Sequence, residues 1–234
     1  MKPTLALVPT SDLAEANDTA AGTPSVLRSW WGGGIAASSR DDDAIRVLVA
    51  APSAQSDHAT REALIATFGR QSRRGEPLPV IAAALDEVVR QLGAKSVCAT
   101  LLEADGHGFT VLHRGNPAPL LVGSDGEASA LQPRVPGPPL GLGGGGDVEV
   151  LPASLGDIVV LSTPAFAGQL SETLLGVSAE PDSMWQALTT QALVDPYPGA
   201  LAMVVCERAA ATGVVRMPES LSVQRPVVTQ RRGA

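Results

Sequence analysis

The side chains able to do chemistry are few and scattered. Asp41-Asp-Asp43 forms one acidic run, Ser56, Asp57 and His58 are adjacent, His107 and His113 stand apart, and Cys98 and Cys206 each sit inside an apolar stretch. A hydrolytic triad brings nucleophile and base together through the fold, so three neighbours in sequence do not make one. Three separated histidines and two strand cysteines lack zinc-site spacing. The aspartate run reads as a solvated hairpin tip, His107 as an exposed turn residue, and His113 as a surface histidine near a strand end. The run Gly143–Gly146 lacks the Lys-Ser/Thr of a phosphate-binding loop and opens no helix, so it reads as a flexible loop.

The chain that must position these groups has 234 residues, 44% of them hydrophobic and 18% charged, which suits one sizeable domain with a substantial core. A net charge of −7 argues against nucleic acid as the main partner, since phosphate neutralisation needs a concentrated basic surface. Cys98 and Cys206 fit reduced core thiols, so a cytoplasmic location is the expectation. The N-terminus lacks a signal-peptide pattern, and no apolar stretch approaches the roughly 20 residues that cross a bilayer. The expected organisation is a disordered leader over 1–25, a domain over 26–208, and a disordered basic tail over 209–234 with Arg216, Arg225, Arg231 and Arg232. Trp30-Trp31 reads as core packing or as an anchor for a partner.

Periodicity supplies the elements. Ile45–Ala50 is a β-branched strand entered from the acidic turn. Ala63, Leu64, Thr67 and Phe68 give one helical face. Val80, Ile81, Ala84, Leu85, Val88, Val89 and Leu92 give a stronger one, with Pro79 at its start and Gly93 beyond its end. Short strands follow: Ser96–Glu103, Phe109–Arg114, Leu120–Val122, Ala128–Leu131, Val148–Leu151 and Asp157–Ser162. Turns at Asp105-Gly106 and Asp125-Gly126 separate some of them. Asp182-Ser183 caps a last helix carrying Trp185, Leu188, Thr189 and Ala192, and Ala200–Cys206 is the closing strand. This order suits an α+β fold of mainly antiparallel sheets packed together with helices outside, a four-layer αββα sandwich.

In the second half, Val97-Cys-Ala-Thr-Leu-Leu102, Arg114-Gly-Asn-Pro-Ala-Pro-Leu-Leu121, Asp125-Gly126, Pro138-Pro-Leu-Gly-Leu142 and Leu155-Gly-Asp-Ile-Val-Val-Leu-Ser-Thr163 follow in order. This succession resembles the SpoIIE/RsbU branch of the metal-dependent (PPM) Ser/Thr protein phosphatases. The branch has a strand ending in threonine, an Ala-Gly-His-Pro-Pro-x-Leu turn, an Asp-Gly hairpin, a Pro-Leu-Gly loop, a Gly-Asp hairpin and a Thr-Asp-Gly ending. The resemblance implies the αββα sandwich and two divalent ions held by carboxylates, which activate a water against a phosphoester. It also implies that the two helices after the first strands act as a switch responding to a regulatory partner.

The carboxylates that this resemblance calls for are replaced. Its Gly-Gly-Asp falls on Gly32-Gly33-Gly34, its Asp-x-x-Gly-His-Gly on Ala51–Ser56, its Thr-Asp-Gly on Thr163-Pro164-Ala165, and its Asp-Asp pair on Pro198-Gly199. Gly34, Ala51, Pro164, Pro198 and Gly199 offer no side-chain oxygen to a hard cation. No cofactor is therefore expected. The expectation is a pseudophosphatase that regulates by binding protein, in partner-switching control of a sigma factor. Its partners would be an anti-sigma factor, its phosphorylatable antagonist or another phosphatase domain, and homodimerisation is compatible with the sequence. The alternative is an active phosphatase with relocated Mn²⁺ or Mg²⁺ ligands, for which Asp57, Asp157 and Asp195 are the candidates.

Overall fold

The computed structural model describes residues 24–31, 34–41, 44–52, 58–105, 108–131, 137–152, 154, 156–194, 199–206 and 215. Three strands come first: β1 (Pro24–Trp31), β2 (Ile35–Arg40) and β3 (Ala44–Pro52). Helices α1 (His58–Ser72) and α2 (Leu78–Gln91) follow. A run of strands comes next: β4 (Val97–Asp105), β5 (Gly108–Arg114), β6 (Leu120–Val122), β7 (Ala128–Ala130), β8 (Val148–Pro152) and β9 (Ile158–Ser162). Helices α3 (Pro164–Leu174) and α4 (Pro181–Val194) and strand β10 (Ala200–Cys206) complete the order. The strands form two five-stranded sheets, ordered β1-β10-β9-β6-β7 and β2-β3-β4-β5-β8. Every neighbouring pair is antiparallel.

Strand β3 displays the logic of the layers. Ile45, Val47 and Val49 point to the first sheet and pack with its Val159, Leu161, Ala202 and Val204, alongside Leu102, Ala104 and Phe109 of their own sheet. Leu48 and Ala50 point the other way, beneath Leu64, Phe68, Ile81, Leu85 and Val89 of α1 and α2. Side chains alternate across a strand, so a strand covered on both faces reads as a continuous apolar run, as Val47–Ala50 does. On the far side Phe166, Leu170 and Leu174 of α3, with Met184 and Leu188 of α4, cover Ile158, Val160, Leu201 and Met203. The result is the αββα sandwich expected from the sequence.

Three elements escape the sequence reading: β1, β2 and α3. Helix α3 carries Phe166, Leu170 and Leu174 at four-residue spacing. Pro164 opens it, where a missing N–H costs nothing, and Thr163 precedes it in extended conformation. Strand β1 begins at Pro24 and pairs with β10. Beyond the expected boundary at Arg208, Val215 is buried and holds two backbone hydrogen bonds, Gly176 N–H to its carbonyl at 3.1 Å and its own N–H to Val177 at 2.8 Å. Trp30 and Trp31 lie on β1.

Helix α2 also turns differently from its expected face. The buried stripe is Leu78, Ile81, Ala82, Leu85, Asp86 and Val89, while Val80 and Leu92 are exposed. The rotation carries Asp86 inward because a cation is waiting for it. Arg114, at the end of β5 and 2% exposed, donates from Nη2 to Asp86 Oδ1 at 2.9 Å and from Nε to the Pro138 carbonyl at 2.6 Å. The same Asp86 oxygen accepts the Gly141 N–H at 2.9 Å, and Asp86 Oδ2 accepts from Arg90 Nε at 3.2 Å. Gly141 has φ +93°, and a Cβ there would lie 2.6 Å from Val89 Cγ1, so glycine is required for the loop to reach the carboxylate. Burial pushes the Asp86 pKa up. The Gly141 N–H, the Arg114 charge and the hydrogen bonds from Arg90 and Arg114 outweigh it and hold the carboxyl below its usual range.

Removing one partner of a buried pair strands the other charge. Arg114→Met is therefore expected to lower the unfolding free energy by about 3–5 kcal/mol, and adding Asp86→Leu to recover much of that loss, both measured by urea denaturation. Because the Asp86 pKa is depressed on folding, its contribution is present above the unfolded carboxylate value and fades as pH falls through the folded one.

Candidate functional site

Six chain segments meet at one end of the space between the sheets. Ile35 pairs with Ala50 at the start of β2, and Ala51 pairs with Cys98 across β3 and β4. The Gly34 N–H donates to the Gly199 carbonyl at 3.0 Å, bridging the two sheets. Thr163 closes the same end from β9. Its N–H donates to the Ala200 carbonyl at 3.1 Å, and its Oγ1 accepts the Ala200 N–H at 3.1 Å. Asn116, in the turn after β5, donates from Nδ2 to the Val49 carbonyl at 3.0 Å.

The structure thus brings Gly34, Ala51, Thr163-Pro164 and Gly199 to one end of the sandwich. Pro198, Asp57 and Asp195 lie outside the described residues. Asp157 is buried in the turn before β9, where its Oδ2 accepts the Ser154 N–H at 2.8 Å. That carboxylate caps its own turn.

Close approach of the two sheets explains the glycines. A Cβ at Gly34 would sit 2.8 Å from both Ala200 N and Gly199 C. One at Gly199 would sit 2.5 Å from Phe166 Cε2 and 2.7 Å from Thr163 Oγ1. Both contacts are shorter than real Cβ atoms make, so an aspartate at Gly34 requires the backbone to shift and one at Gly199 requires the Phe166 and Thr163 side chains to move. Among the described residues no three His, Cys, Asp or Glu side chains lie together as a metal cluster. The described residues at this end, Gly34, Ala51, Thr163, Pro164 and Gly199, bring no carboxylate to a hard divalent cation. Cys98 adds nothing reactive, because burial pushes its thiol pKa up and so disfavours the thiolate.

His113 corrects the sequence reading. It is 2% exposed, on the inter-sheet face of β5, because Phe109 and Val111 before it share that face. Its cross-strand partner is Thr100, which in turn lies opposite Val49. Burial pushes its pKa down to about 4, against the opposing effect of hydrogen bonds to the Leu131 and Pro117 backbone. The imidazole is neutral at pH 7. His113 Nε2, Thr100 Oγ1 and Asn116 Oδ1 are all buried without a hydrogen-bond partner, so the polar groups near this end belong to the sandwich interior. Alternation along Phe109–His113 could have revealed the burial, but the polar character of histidine outweighed it.

No protein-family model matches the chain, and no curated protein matches it. Solved structures do. The RsbU and RsbW domains of Rv1364c from Mycobacterium tuberculosis align with 82% of this chain and 58% of that one, at 21% identity and a TM-score of 0.57. The PP2C phosphatase domain of SpoIIE from Bacillus subtilis, with a fragment of its regulatory domain, aligns with 81% of this chain and 64% of that one, at 9% identity and a TM-score of 0.63. RsbX in complex with magnesium aligns over 77% and 94%, at 11% identity and a TM-score of 0.56. The chain spans less than two thirds of the length of the first two.

Two outcomes follow from the site. Gly34→Asp and Gly199→Asp are each expected to lower stability by about 1–3 kcal/mol through overpacking and to create no Mn²⁺ binding, read by thermal unfolding and calorimetry. Unfolded histidine takes up a proton below about pH 6.5, whereas His113 in the fold resists until about 4. Stability should therefore be full above pH 6.5 and fall by roughly 3 kcal/mol toward pH 4, a component that His113→Leu removes from the urea-unfolding pH profile. The strand order and helix layers are those of the solved phosphatase domains, and the chain has the fold of the metal-dependent (PPM) Ser/Thr protein phosphatases.

Proposed function

We propose that this domain is a catalytically silent PPM fold that works by binding protein, in partner-switching control of a bacterial sigma factor. The observation that carries the reading is the closed end of the sandwich, where Gly34 and Gly199 are in backbone contact and neither has space for a carboxylate. Ala51 and Pro164, on the neighbouring segments, bring no oxygen donor either. Phosphate monoesters are among the slowest substrates to hydrolyse unaided, so a fold without its metal ions loses nearly all of its turnover.

Similarity to RsbU–RsbW and RsbX structures supports a place among partner-switching proteins. In that setting the partner is a kinase-like anti-sigma factor, its phosphorylatable antagonist or another phosphatase domain. The helix pair is the element through which a partner acts. Helix α2 is tied through Asp86 and Arg114 to the 137–143 loop and to the end of β5, beside the turn that carries Asn116. A contact on α1 and α2, where Ile65 and Val80 are exposed, is thereby felt at the closed end.

Titration with Mn²⁺ by calorimetry, together with hydrolysis of an aryl phosphate, tests the reading. Neither saturable heat nor metal-dependent turnover is expected. Activity abolished by a chelator would instead place working ligands outside Gly34, Ala51, Pro164 and Gly199, with Asp57 and Asp195 the first to replace.

A further inference from the structure

Strand β8 ends the second sheet, and among the described residues only one of its edges is paired. Its register with β5 sets Val148 opposite Leu112, Glu149 opposite Val111 and Val150 opposite Thr110. Val148 and Val150 therefore share the outer face, where they are 36% and 70% exposed. Glu149 shares the inner face with Val111 and Leu151, and its Oε2 is buried without a hydrogen-bond partner. In an antiparallel ladder every second residue turns its N–H and C=O away from the paired neighbour, so β8 offers a row of backbone donors and acceptors outward. Natural edges are commonly guarded against self-pairing by lysine, by proline or by an inward-pointing charge, which leaves them open to a partner of opposite charge. This one carries Pro152 at its end, two exposed valines on its outer face and an inward carboxylate that has no counter-charge among the described residues.

We propose that the free edge of β8 binds an extended segment of a partner protein that alternates apolar and basic residues, adding a sixth strand to the sheet. The apolar residues lie beside Val148 and Val150 on the outer face. The basic residue between them falls on the inner face and donates to Glu149 Oε2. Backbone pairing supplies affinity, and this side-chain alternation supplies specificity.

Charge decides between occupants. A second copy paired antiparallel about Glu149 would set two like carboxylates opposite each other. Centred on Val150, it would set Glu149 against Leu151 and leave the buried oxygen unsatisfied. The chain's own C-terminal residues fit no better. Arg225, Arg231 and Arg232 are not flanked by apolar residues on both sides, and Arg216 follows Val215, whose backbone is already committed to Gly176 and Val177. The inference deepens the binding reading above and rests on it for its biological use.

The test uses the full chain and a fluorescent peptide, acetyl-Val-Arg-Val-Arg-Val-Thr-amide, followed by anisotropy, with hydrogen exchange at Val148–Leu151 as the site readout. Saturable binding is expected, with slowed exchange on β8. N-methylation of one alternate set of peptide amides should abolish it, while methylation of the other set is tolerated. Glu149→Gln and a peptide with glutamate for arginine should each weaken binding at least tenfold. Absence of saturation at millimolar protein overturns the proposal, as does indifference to which amides are methylated. A dimer by sedimentation, with β8 protected in the absence of peptide, overturns it in favour of a second copy. Metal-dependent turnover would sink the silent reading without touching this edge. Failure of the peptide, with a protein partner still held at α1 and α2, would sink the edge alone.

Discussion

A guanidinium and a carboxylate removed from water govern much of this domain's architecture. Arg114 and Asp86 come from a strand and a helix on opposite sides of a layer boundary, and each alone would carry a prohibitive desolvation cost. Together they satisfy one another, and the surplus lone pairs and protons take in backbone from the 137–143 loop. Directionality follows from this. An apolar helix can slide on a sheet with little penalty, but a helix whose Asp86 accepts from both Arg114 and the Gly141 N–H has one rotation and one height. The register of α2 over β4 and β5 is fixed by chemistry as well as by shape.

The closed end is the complement of that pin. There backbone meets backbone at Gly34 and Gly199, and Thr163 spends its hydroxyl on Ala200. Neutral residues crowd where acidic ones would repel one another in the absence of counter-ions. The two features act in the same direction. One makes the helix layer rigid with respect to the sheet, and the other makes the sheets rigid with respect to each other. Such pre-organisation is what the binding role proposed above requires.

Much of the sandwich was legible because buried strands such as Ile45–Ala50 and Ile158–Ser162 announce themselves by composition, and because Gly-Asp and Pro-Leu-Gly turns punctuate them. What stayed hidden was context. Strands β1 and β2 contain Arg28, Ser29, Ser38 and Ser39, so their pairing is decided by β10 and β3, not by their own apolar content. Helix α3 was obscured by the proline that opens it. Asp86 was invisible as a core residue, since a carboxylate on an apolar stripe reads as a register error until its arginine, distant in sequence, is placed. Of the site, the residue types at Gly34, Ala51, Pro164 and Gly199 could be read from letters, but the close packing of Gly34 against Gly199 and Ala200 could not. It arises only where β2 and β10, from opposite sheets, arrive side by side.

The pairing of β1 with β10 has a further meaning for how the molecule is made. The earliest strand in the sequence lies against the last, and β10 is also the only bridge from β1 to the rest of its sheet. While the chain is being synthesised, β1 must wait unpaired until the ribosome has delivered almost everything between. The second sheet, built from β2 to β5 and β8, can assemble well before that. Completion of the first sheet is therefore a late, long-range closure, which costs loop entropy before any contact returns it. A chain cut short before Ala200 would leave β1 and β9 with raw edges facing one another across a missing strand.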